Sequence, residues 1–208
     1  MTDIPQNPQG TEPQRPKGLQ KGSWLRSNLE ALGLAVALAI VLRIFVVQAF
    51  TIPSGSMIPT LLVGDYILVN KFIYHFTSVG RGDIVVFRSP EDPDRDYIKR
   101  VIGQPGEELS LKEGTVFVNG QPLKEIYAPR QSDNLFGRLG SPLESWGPKV
   151  VPAGHYFLLG DNRSNSRDSR VWGFLDGDMI RGRAFLIYFS WNGEERGVRW
   201  GRLGKVLH

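Results

Sequence analysis

The sequence predicts a mainly β protein that follows a single N-terminal transmembrane helix. The chain of 208 residues contains one long apolar run, over residues 29–50. After residue 50, short runs of alternating apolar and polar residues are separated by Gly, Pro, Asn and Asp, which is the pattern of strands and turns. We therefore expect a disordered tail over residues 1–28, an anchor helix over 29–50 and a β-rich domain over 51–208.

The apolar run has the length needed to cross a bilayer. As a helix it would extend about 33 Å, against a hydrocarbon core of about 30 Å. Arg43 interrupts its apolar character, but an arginine near one end can extend to the headgroups. The tail is rich in basic residues, which predicts a cytoplasmic N-terminus and a domain on the trans side. The alternative is a cleaved signal peptide, for which Val47-Gln48-Ala49 is a suitable cleavage site.

Segments of the domain with the alternation expected of strands are separated by turn residues. A tight hairpin turn is predicted at Asn119-Gly120, before Gln121. Residues 127–150 break the rhythm and predict a flexible insert. The predicted strand segments are residues 65–72, 83–87, 97–103, 107–120, 154–161 and 183–191.

Composition argues against several classes of function. The 25 basic and 21 acidic residues give a net charge of +4, and the basic residues are scattered, so nucleic-acid binding is not indicated. The mild positive charge suits a domain beside an anionic membrane surface. The sequence has no cysteine, which excludes thiol catalysis and cysteine-ligated metals. It also lacks a zinc-binding spacing and a phosphate-binding glycine loop.

The loop FTIPSGSMIPTLLVGD, residues 50–65, contains the best candidate for a nucleophile. Gly55 permits a turn, and Pro53 and Pro59 restrict the backbone on either side, so the hydroxyl of Ser56 would be held in one place. The same residues also fit an ordinary turn whose serines bond only to local backbone. Both interpretations stay open from the residues alone.

A serine nucleophile needs a neighbouring base. A lysine can act as that base if burial lowers its pKa from about 10.4. Lys99 lies inside the apolar strand pattern DYIKRVIG, and alternation puts Arg100 on the opposite face. No histidine has surroundings typical of a catalytic base; the three are His75, His155 and His208.

The segment GDNRSNSRDSRVWGF, residues 160–174, is a dense polar run that follows a strand. It predicts a hydrogen-bonded network of Asp168 with Arg170 or Arg163. A solvated loop would have a similar composition, but the immediate return to Val171, Trp172 and Phe174 favours an ordered segment.

Three segments resemble, in order and spacing, the sequence boxes of bacterial type I signal peptidases, the membrane-anchored serine proteases that release exported proteins. They are PSGSMIPTLLVGDYILVNKF, RGDIVVF with DYIKRVIGQPGE, and GDNRSNSRDSRVWGF. The resemblance extends over about residues 29–190. It implies a β-rich, partly barrel-like catalytic core with an extended cleft.

The resemblance also implies catalytic roles. Ser56 matches the nucleophile of the family and Lys99 its general base. Ser54 matches the residue whose hydroxyl joins the Ser56 N–H in the oxyanion hole. Ser166 matches the serine that hydrogen-bonds to the lysine and orients it.

Further positions match residues that support the site or contact the substrate. Asp168 and Arg170 match an ion pair that braces the site, and Arg100 follows the base as in the family. The residues that we expect to contact the substrate are Ile52, Pro53, Met57 and Ile98.

The implied activity is removal of N-terminal signal peptides from exported preproteins by a Ser-Lys dyad. Cleavage would follow small residues, at sites of the Ala-x-Ala type, through an acyl-enzyme and without a metal or cofactor. The implied partners are signal peptides and the lipid bilayer, with the secretion translocon as a further candidate. The implied location is the bacterial plasma membrane or a thylakoid-type membrane.

The chain departs from the family pattern in a few places. It has one apolar run where some members have two, and the extra β-domain of some relatives is absent or reduced to residues 104–150. Ser164 and Arg167 occupy positions where variation is expected. The alternatives are a membrane-tethered binding module without catalysis, a self-cleaving Ser-Lys repressor, and a peptidase with one dedicated substrate.

Overall fold

The computed structural model describes residues 27–38, 47–128 and 145–207. The chain divides into two units, Met1–Ile40 and Val41–His208. In the first unit, residues 27–38 form helix α1. A search of the described helices finds none with the length and hydropathy to span a membrane.

The anchor helix predicted over residues 29–50 extends too far toward the C-terminus. Its last residues belong to strand β1 (Val47–Thr51), which pairs with the next strand along its whole length. In the sequence, the apolar residues 44–46 continue directly into Val47, so hydrophobicity alone did not mark the start of the strand. Arg43 lies outside the described residues, as does the predicted tail apart from its last two residues, which begin α1.

Strands make up most of the regular secondary structure described in the second unit, and every predicted strand segment overlaps at least one of them. After β1, the described strands are β2 (Asp65–Asn70), β3 (Ile84–Arg88), β4 (Asp96–Gly103), β5 (Glu108–Lys112), β6 (Thr115–Val118), β7 (Gln121–Pro122), β8 (Trp146–Val150), β9 (His155–Leu159), β10 (Leu175–Asp176), β11 (Ile180–Asn192), β12 (Gly197–Val198) and β13 (Lys205–Val206). A four-residue helix, α2 (Ser169–Trp172), follows β9. Short 3₁₀ helices lie at Ile73–His75, Arg163–Asn165, Gly177–Met179 and Trp200–Arg202.

The larger sheet has the strand order β1-β2-β11-β3-β4-β9-β10, and β12 and β13 also pair with β11. The long strand β11 connects the two halves of this sheet, because it pairs with β2 on one edge and with β3 on the other. Register shifts along β11, between Ala184 and Leu186 and between Ile187 and Phe189, mark bulges that bend the strand. The mainly β fold predicted from the sequence is therefore confirmed.

The smaller sheet has the order β7-β6-β5-β8. Its hairpins turn at Glu113-Gly114 and Asn119-Gly120, and all four residues have positive φ, as two-residue hairpin turns require. The predicted turn before Gln121 is therefore confirmed. The predicted flexible insert over 127–150 is wrong at its end, because β8 pairs with β5 in this sheet.

Three hydrophobic clusters form the core of the second unit. One lies beneath the loop that follows β1 and contains Ile52, Met57 and Leu61. A second joins the smaller sheet to β9, and a third lies on the other face of β3 and β4. Strand β3 is buried on both faces, so β4 beside it has a firm support on that edge.

Candidate active site

The loop that contains Ser56 connects β1 to β2 and is closed at its base. Ile52 N–H donates to the carbonyl of Asp65 at 2.8 Å, and Gly64 N–H donates to the carbonyl of Ile52 at 3.0 Å. Met57 is fully buried beneath the loop, in the same cluster as Ile52. The loop is therefore held over a packed core, and Ser56 lies on it with 8% of its surface exposed.

The structure brings Ser56 and Lys99 together. Lys99 extends from β4, where it pairs with Val85 of β3. Its Nζ donates to Ser56 Oγ at 2.9 Å and to the carbonyl of Ile98 at 2.9 Å. These two residues are 43 positions apart in sequence, so the contact depends on the tertiary fold.

The environment of Lys99 favours its neutral form. The side chain is 5% exposed, and burial lowers its pKa from the ordinary value of 10.5 to about 8. The carboxylates of Asp168 and Asp161 act in the opposite direction and raise this pKa, but their effect is smaller than that of burial. A serine hydroxyl that contacts a buried lysine of low pKa has the geometry of a nucleophile with its base.

The polar segment after β9 lies directly beside this pair. Leu159 of β9 pairs with Arg100 of β4, so Gly160 follows at the level of Lys99. A Cβ added to Gly160 would lie 2.5 Å from the Ser56 carbonyl oxygen and 2.5 Å from Ser166 Cβ. Only glycine leaves the room in which the two segments approach each other this closely.

Arg100 and Asp161 form a buried ion pair behind the lysine. Arg100 Nε and Nη2 donate to the two oxygens of Asp161 at 2.9 and 2.8 Å, and both side chains are 1% exposed. Nη1 donates to the carbonyl of Gly82 at 2.8 Å, and the guanidinium stacks on the ring of Tyr127 at 3.9 Å. Thr60 Oγ1, from the loop that contains Ser56, donates to Asp161 at 2.5 Å. The pair therefore links three separate segments around the site.

A second buried ion pair closes the polar segment. Arg170 Nε and Nη2 donate to the two oxygens of Asp168 at 2.8 Å each, and Asp168 also accepts the Gly160 N–H at 3.1 Å. Of the two partners predicted for Asp168, the structure shows Arg170. Arg163 instead donates to Glu125 at 2.9 Å.

Ser166 and Ser54 differ in how they lie near the Ser56–Lys99 pair. Ser166 Oγ is buried and has no hydrogen-bond partner among the described residues, so the predicted hydrogen bond from Ser166 to Lys99 is not formed in this structure. The close approach of Gly160 to Ser166 nevertheless places Ser166 at the site. Ser54 is exposed on the same loop as Ser56, two residues before it.

A groove of about 270 Å³, partly open to solvent, lies between the end of β1 and the start of β4. Three of the four predicted substrate contacts line it: Ile52, Pro53 and Ile98. Met57 does not line it, because its side chain is fully buried in the core, and its predicted contact with the substrate stays a prediction.

Two residues that organise the site were not predicted from the sequence. Asp161, which pairs with Arg100, is the second residue after β9 and has no feature that separates it from the other polar residues of its segment. Asn162 was not singled out at all; its N–H donates to the Ser56 carbonyl at 3.1 Å and its Nδ2 to the Gly55 carbonyl at 3.0 Å. No local pattern marks this contact, because the residues lie 107 positions apart.

Neither described histidine is near the pair. His155 Nδ1 contacts the carbonyl of Ala153, and His75 packs against Phe72. Among the described residues there is also no group of acidic or histidine side chains able to hold a metal ion.

Comparison with known proteins identifies what this chain resembles. A sequence model described as "Signal peptidase, peptidase S26" matches residues 25–191. Signal peptidase I of Leptolyngbya laminosa is 41% identical over 93% of this chain and 92% of its own length. Signal peptidase I of Pseudomonas aeruginosa is 39% identical over 74% of this chain and 69% of its own. A crystal structure of a signal peptidase I from Enterococcus faecalis aligns with a TM-score of 0.43 and 32% identity, over 51% of this chain and 97% of its own.

Proposed function

The chain belongs to the signal peptidase family, peptidase S26, and is a serine endopeptidase; we propose that it removes N-terminal signal peptides from exported preproteins by means of a Ser56–Lys99 dyad. The single observation that carries the proposal is the 2.9 Å contact between Lys99 Nζ and Ser56 Oγ, made by a buried lysine whose pKa is lowered to about 8.

The contact supplies the proton transfer that the nucleophile requires. In the neutral state of Lys99, the Nζ lone pair accepts the proton of the Ser56 hydroxyl. With a pKa of about 8, roughly a tenth of the lysines are neutral at pH 7, against fewer than about one in a thousand at the ordinary pKa. A bound peptide that excludes water from the site lowers this pKa further.

The reaction then follows from the positions of the two groups. Ser56 Oγ attacks the scissile carbonyl carbon while its proton moves to Lys99. When the C–N bond breaks, the lysinium gives that proton to the leaving amine, and an ester to Ser56 remains. Lys99 then takes a proton from a water molecule that attacks the ester, and returns it to Ser56 as the acid product leaves.

The oxyanion of the tetrahedral intermediate requires donors on the nucleophile loop. The Ser56 N–H donates to no acceptor among the described residues, so it is available for this purpose. We assign the second donor to the Ser54 hydroxyl. A donor of this kind contributes about 10²–10³ in rate.

Open strand edges beside the dyad support binding of an extended peptide. Within the described residues, β1 pairs only with β2, and β4 has no partner on its second edge until Arg100 pairs with β9. An extended chain placed in the groove between Phe50–Pro53 and Asp96–Ile98 would form main-chain hydrogen bonds with these edges. The groove is small and its lining is mainly apolar, including Ile52 and Ile98, which suits small apolar side chains such as those of an Ala-x-Ala site.

The register of β1 and β2 supports attachment to a membrane. Val47, the first residue of β1, pairs with Asn70, so the apolar run enters the domain beside the end of β2. The chain that follows β2 exposes two aromatic side chains, Phe72 at 43% and Phe76 at 77%. Exposed large apolar side chains beside an apolar run suit contact with a membrane. We propose that residues preceding β1 anchor the protein in a bacterial plasma or thylakoid-type membrane, with signal peptides and lipid as its partners.

The test is cleavage of a preprotein with an Ala-x-Ala site by the full chain in detergent micelles. Ser56→Ala and Lys99→Ala should each lose at least about 10³-fold in kcat/KM while keeping the fold. Ser78→Ala and Lys124→Ala, which change exposed residues of the same types, should retain wild-type activity. Substantial activity in Lys99→Ala would refute the dyad. A wild-type protein that cleaves no preprotein would refute the proposed substrate and favour a dedicated one.

A further inference from the structure

The polar segment after β9 contains a residue whose role is not explained by the ion pairs or by the dyad. Asn162 makes two hydrogen bonds to the nucleophile loop: its N–H to the Ser56 carbonyl at 3.1 Å and its Nδ2 to the Gly55 carbonyl at 3.0 Å. Both acceptors are main-chain groups that immediately flank the nucleophile. These hydrogen bonds therefore act on the position of the backbone at Ser56 and do not involve the Ser56 hydroxyl.

Because a peptide group is planar, the side-chain contact to the Gly55 carbonyl also affects the direction of the Ser56 N–H. The Gly55 carbonyl and the Ser56 N–H belong to the same peptide unit, and in a planar trans peptide these two groups point in opposite directions. A donor that fixes the direction of the Gly55 carbonyl therefore also fixes the direction of the Ser56 N–H. That N–H donates to no acceptor among the described residues and is the main-chain donor of the proposed oxyanion hole.

The Gly55 carbonyl has one further donor, Ile58 N–H at 3.2 Å. This bond closes a turn within the nucleophile loop, so it moves with the loop and cannot fix the loop relative to Lys99. Asn162, in contrast, follows Asp161, which is held by the buried Arg100 next to Lys99 in β4. Its side-chain hydrogen bond therefore fixes the Gly55–Ser56 peptide unit, and its N–H the Ser56–Met57 unit, relative to the strand that holds the base.

We propose that Asn162 is a positioning residue for the oxyanion hole: its side-chain amide orients the Gly55–Ser56 peptide unit so that the Ser56 N–H points at the carbonyl oxygen of the bound substrate. The proposal rests on the proposed function, because it assumes that Ser56 forms a tetrahedral intermediate. The hydrogen bonds that Asn162 donates go to the main chain of the nucleophile loop, so its effect passes through the backbone of the nucleophile.

The role predicts a defect that appears in the transition state and not in substrate binding. Asn162→Asp keeps the size and one oxygen of the side chain but removes the Nδ2–H donor, and Asn162→Ala removes the side chain. The backbone N–H of residue 162 is retained in both variants. We expect kcat to fall about 10- to 100-fold, less than for complete loss of an oxyanion donor, with KM unchanged within about twofold. The pH at which the rate is half-maximal should not move in Asn162→Ala, because the base is untouched.

The experiment compares binding of two peptides to the full chain in detergent. One is an Ala-x-Ala peptide aldehyde, whose adduct with Ser56 places an oxyanion in the hole; the other is the matching peptide alcohol, which forms no adduct. In both Asn162 variants the aldehyde should bind about 10- to 100-fold more weakly than to wild type, in step with kcat, while the alcohol binds equally well. Asn119→Asp is the matched control, since Asn119 uses only its side-chain oxygen, as an acceptor for Glu108 N–H at 2.9 Å.

The possible outcomes separate this inference from the function on which it rests. If wild type cleaves the preprotein and binds the aldehyde, and the Asn162 variants match it, the positioning role is refuted and the proposed function stands. An equal loss for aldehyde and alcohol, or a rise in KM with kcat unchanged, would indicate general loosening of the groove and would also refute the role. If wild type neither cleaves the preprotein nor binds the aldehyde, the proposed function fails and the inference fails with it.

Discussion

A single methyl group at Gly160 should disable the site without unfolding the protein. The Cβ of alanine at this position would lie 2.5 Å from the Ser56 carbonyl oxygen, 2.5 Å from Ser166 Cβ, and closer still to Ser166 Oγ. Gly160 does not have a positive φ, so alanine brings no conformational strain and the effect is purely steric. The neighbours must therefore move away from the new methyl group.

The size of the displacement sets the expected loss of activity. Ordinary van der Waals contact begins at 3.4 Å, so the Ser56 carbonyl must retreat by roughly 0.9 Å unless Gly160 moves by the same amount. A shift of about 1 Å in a catalytic group can cost about 100-fold in rate. We therefore expect kcat/KM of Gly160→Ala to fall about 100-fold, and the free energy of unfolding to fall by about 1–3 kcal/mol, the usual cost of overpacking.

The assay is cleavage of an Ala-x-Ala preprotein, with thermal unfolding followed on the same samples. Gly193→Ala is the matched control, because a Cβ at Gly193 would have no atom within 4 Å. The double variant Gly160→Ala with Ser166→Ala should stay impaired, because the clash with the Ser56 carbonyl persists when the Ser166 hydroxyl is removed. If Gly160→Ala retains activity within about threefold of wild type, the steric reasoning is wrong.

Three further predictions concern the charges around Lys99. The value of kcat/KM for cleavage should rise with pH through an apparent pKa of about 8, because only the neutral lysine accepts the serine proton. A flat profile of kcat/KM between pH 6 and pH 9 would contradict a lysine base. Asp161→Asn removes a carboxylate that raises the Lys99 pKa, so the midpoint of the pH profile should shift to lower pH. Arg100→Met leaves the Asp161 carboxylate unpaired, so the midpoint should shift to higher pH. Shifts of both variants in the same direction would contradict the electrostatic account. Lys99→Met should be inactive but more stable at pH 7 by about 3 kcal/mol. In the wild type, the pKa of Lys99 is about 8 in the folded state and the ordinary 10.5 in the unfolded chain, so the protonated lysine destabilises the folded state. Methionine removes this cost. This gain should be full below about pH 8 and vanish as the pH rises to about 10.5, which denaturant unfolding at several pH values will measure.

The sequence located most of the strands because their signals are local. Alternation of apolar residues marked β2 to β6, β9 and β11, and the Asn-Gly turn marked the hairpin before β7. The sequence did not locate β1, because its apolar residues continue the preceding run and an apolar segment has no distinct helical or strand period. It also missed β8, which contains Gly147-Pro148 and no alternation, and which is a strand only because β5 pairs with it.

The proposed site is accessible to prediction where a residue's chemistry is unusual for its position, and not where a contact depends on strand register. A lysine inside an apolar strand is such an anomaly, and it indicated Lys99 before any contact was known. The partner of Arg100 depends on the pairing of β4 with β9, which brings Asp161 beside it, and no local pattern predicts that register. Asn162 was missed for the same reason, since asparagine is ordinary in a polar loop.

The two buried ion pairs also explain how a lysine of low pKa coexists with nearby carboxylates. Asp161 and Asp168 both raise the pKa of Lys99, and two unpaired carboxylates would stabilise its charged form and remove the base. Each carboxylate instead accepts hydrogen bonds at both oxygens from one arginine: Asp161 from Arg100, and Asp168 from Arg170. The arginines offset the negative charge, so burial remains the dominant influence on the lysine. The carboxylates can therefore hold the segment after β9 in place, including the Gly160 N–H, without keeping the base protonated. On this account the ion pairs contribute to catalysis through the pKa of Lys99 as well as through the stability of the fold.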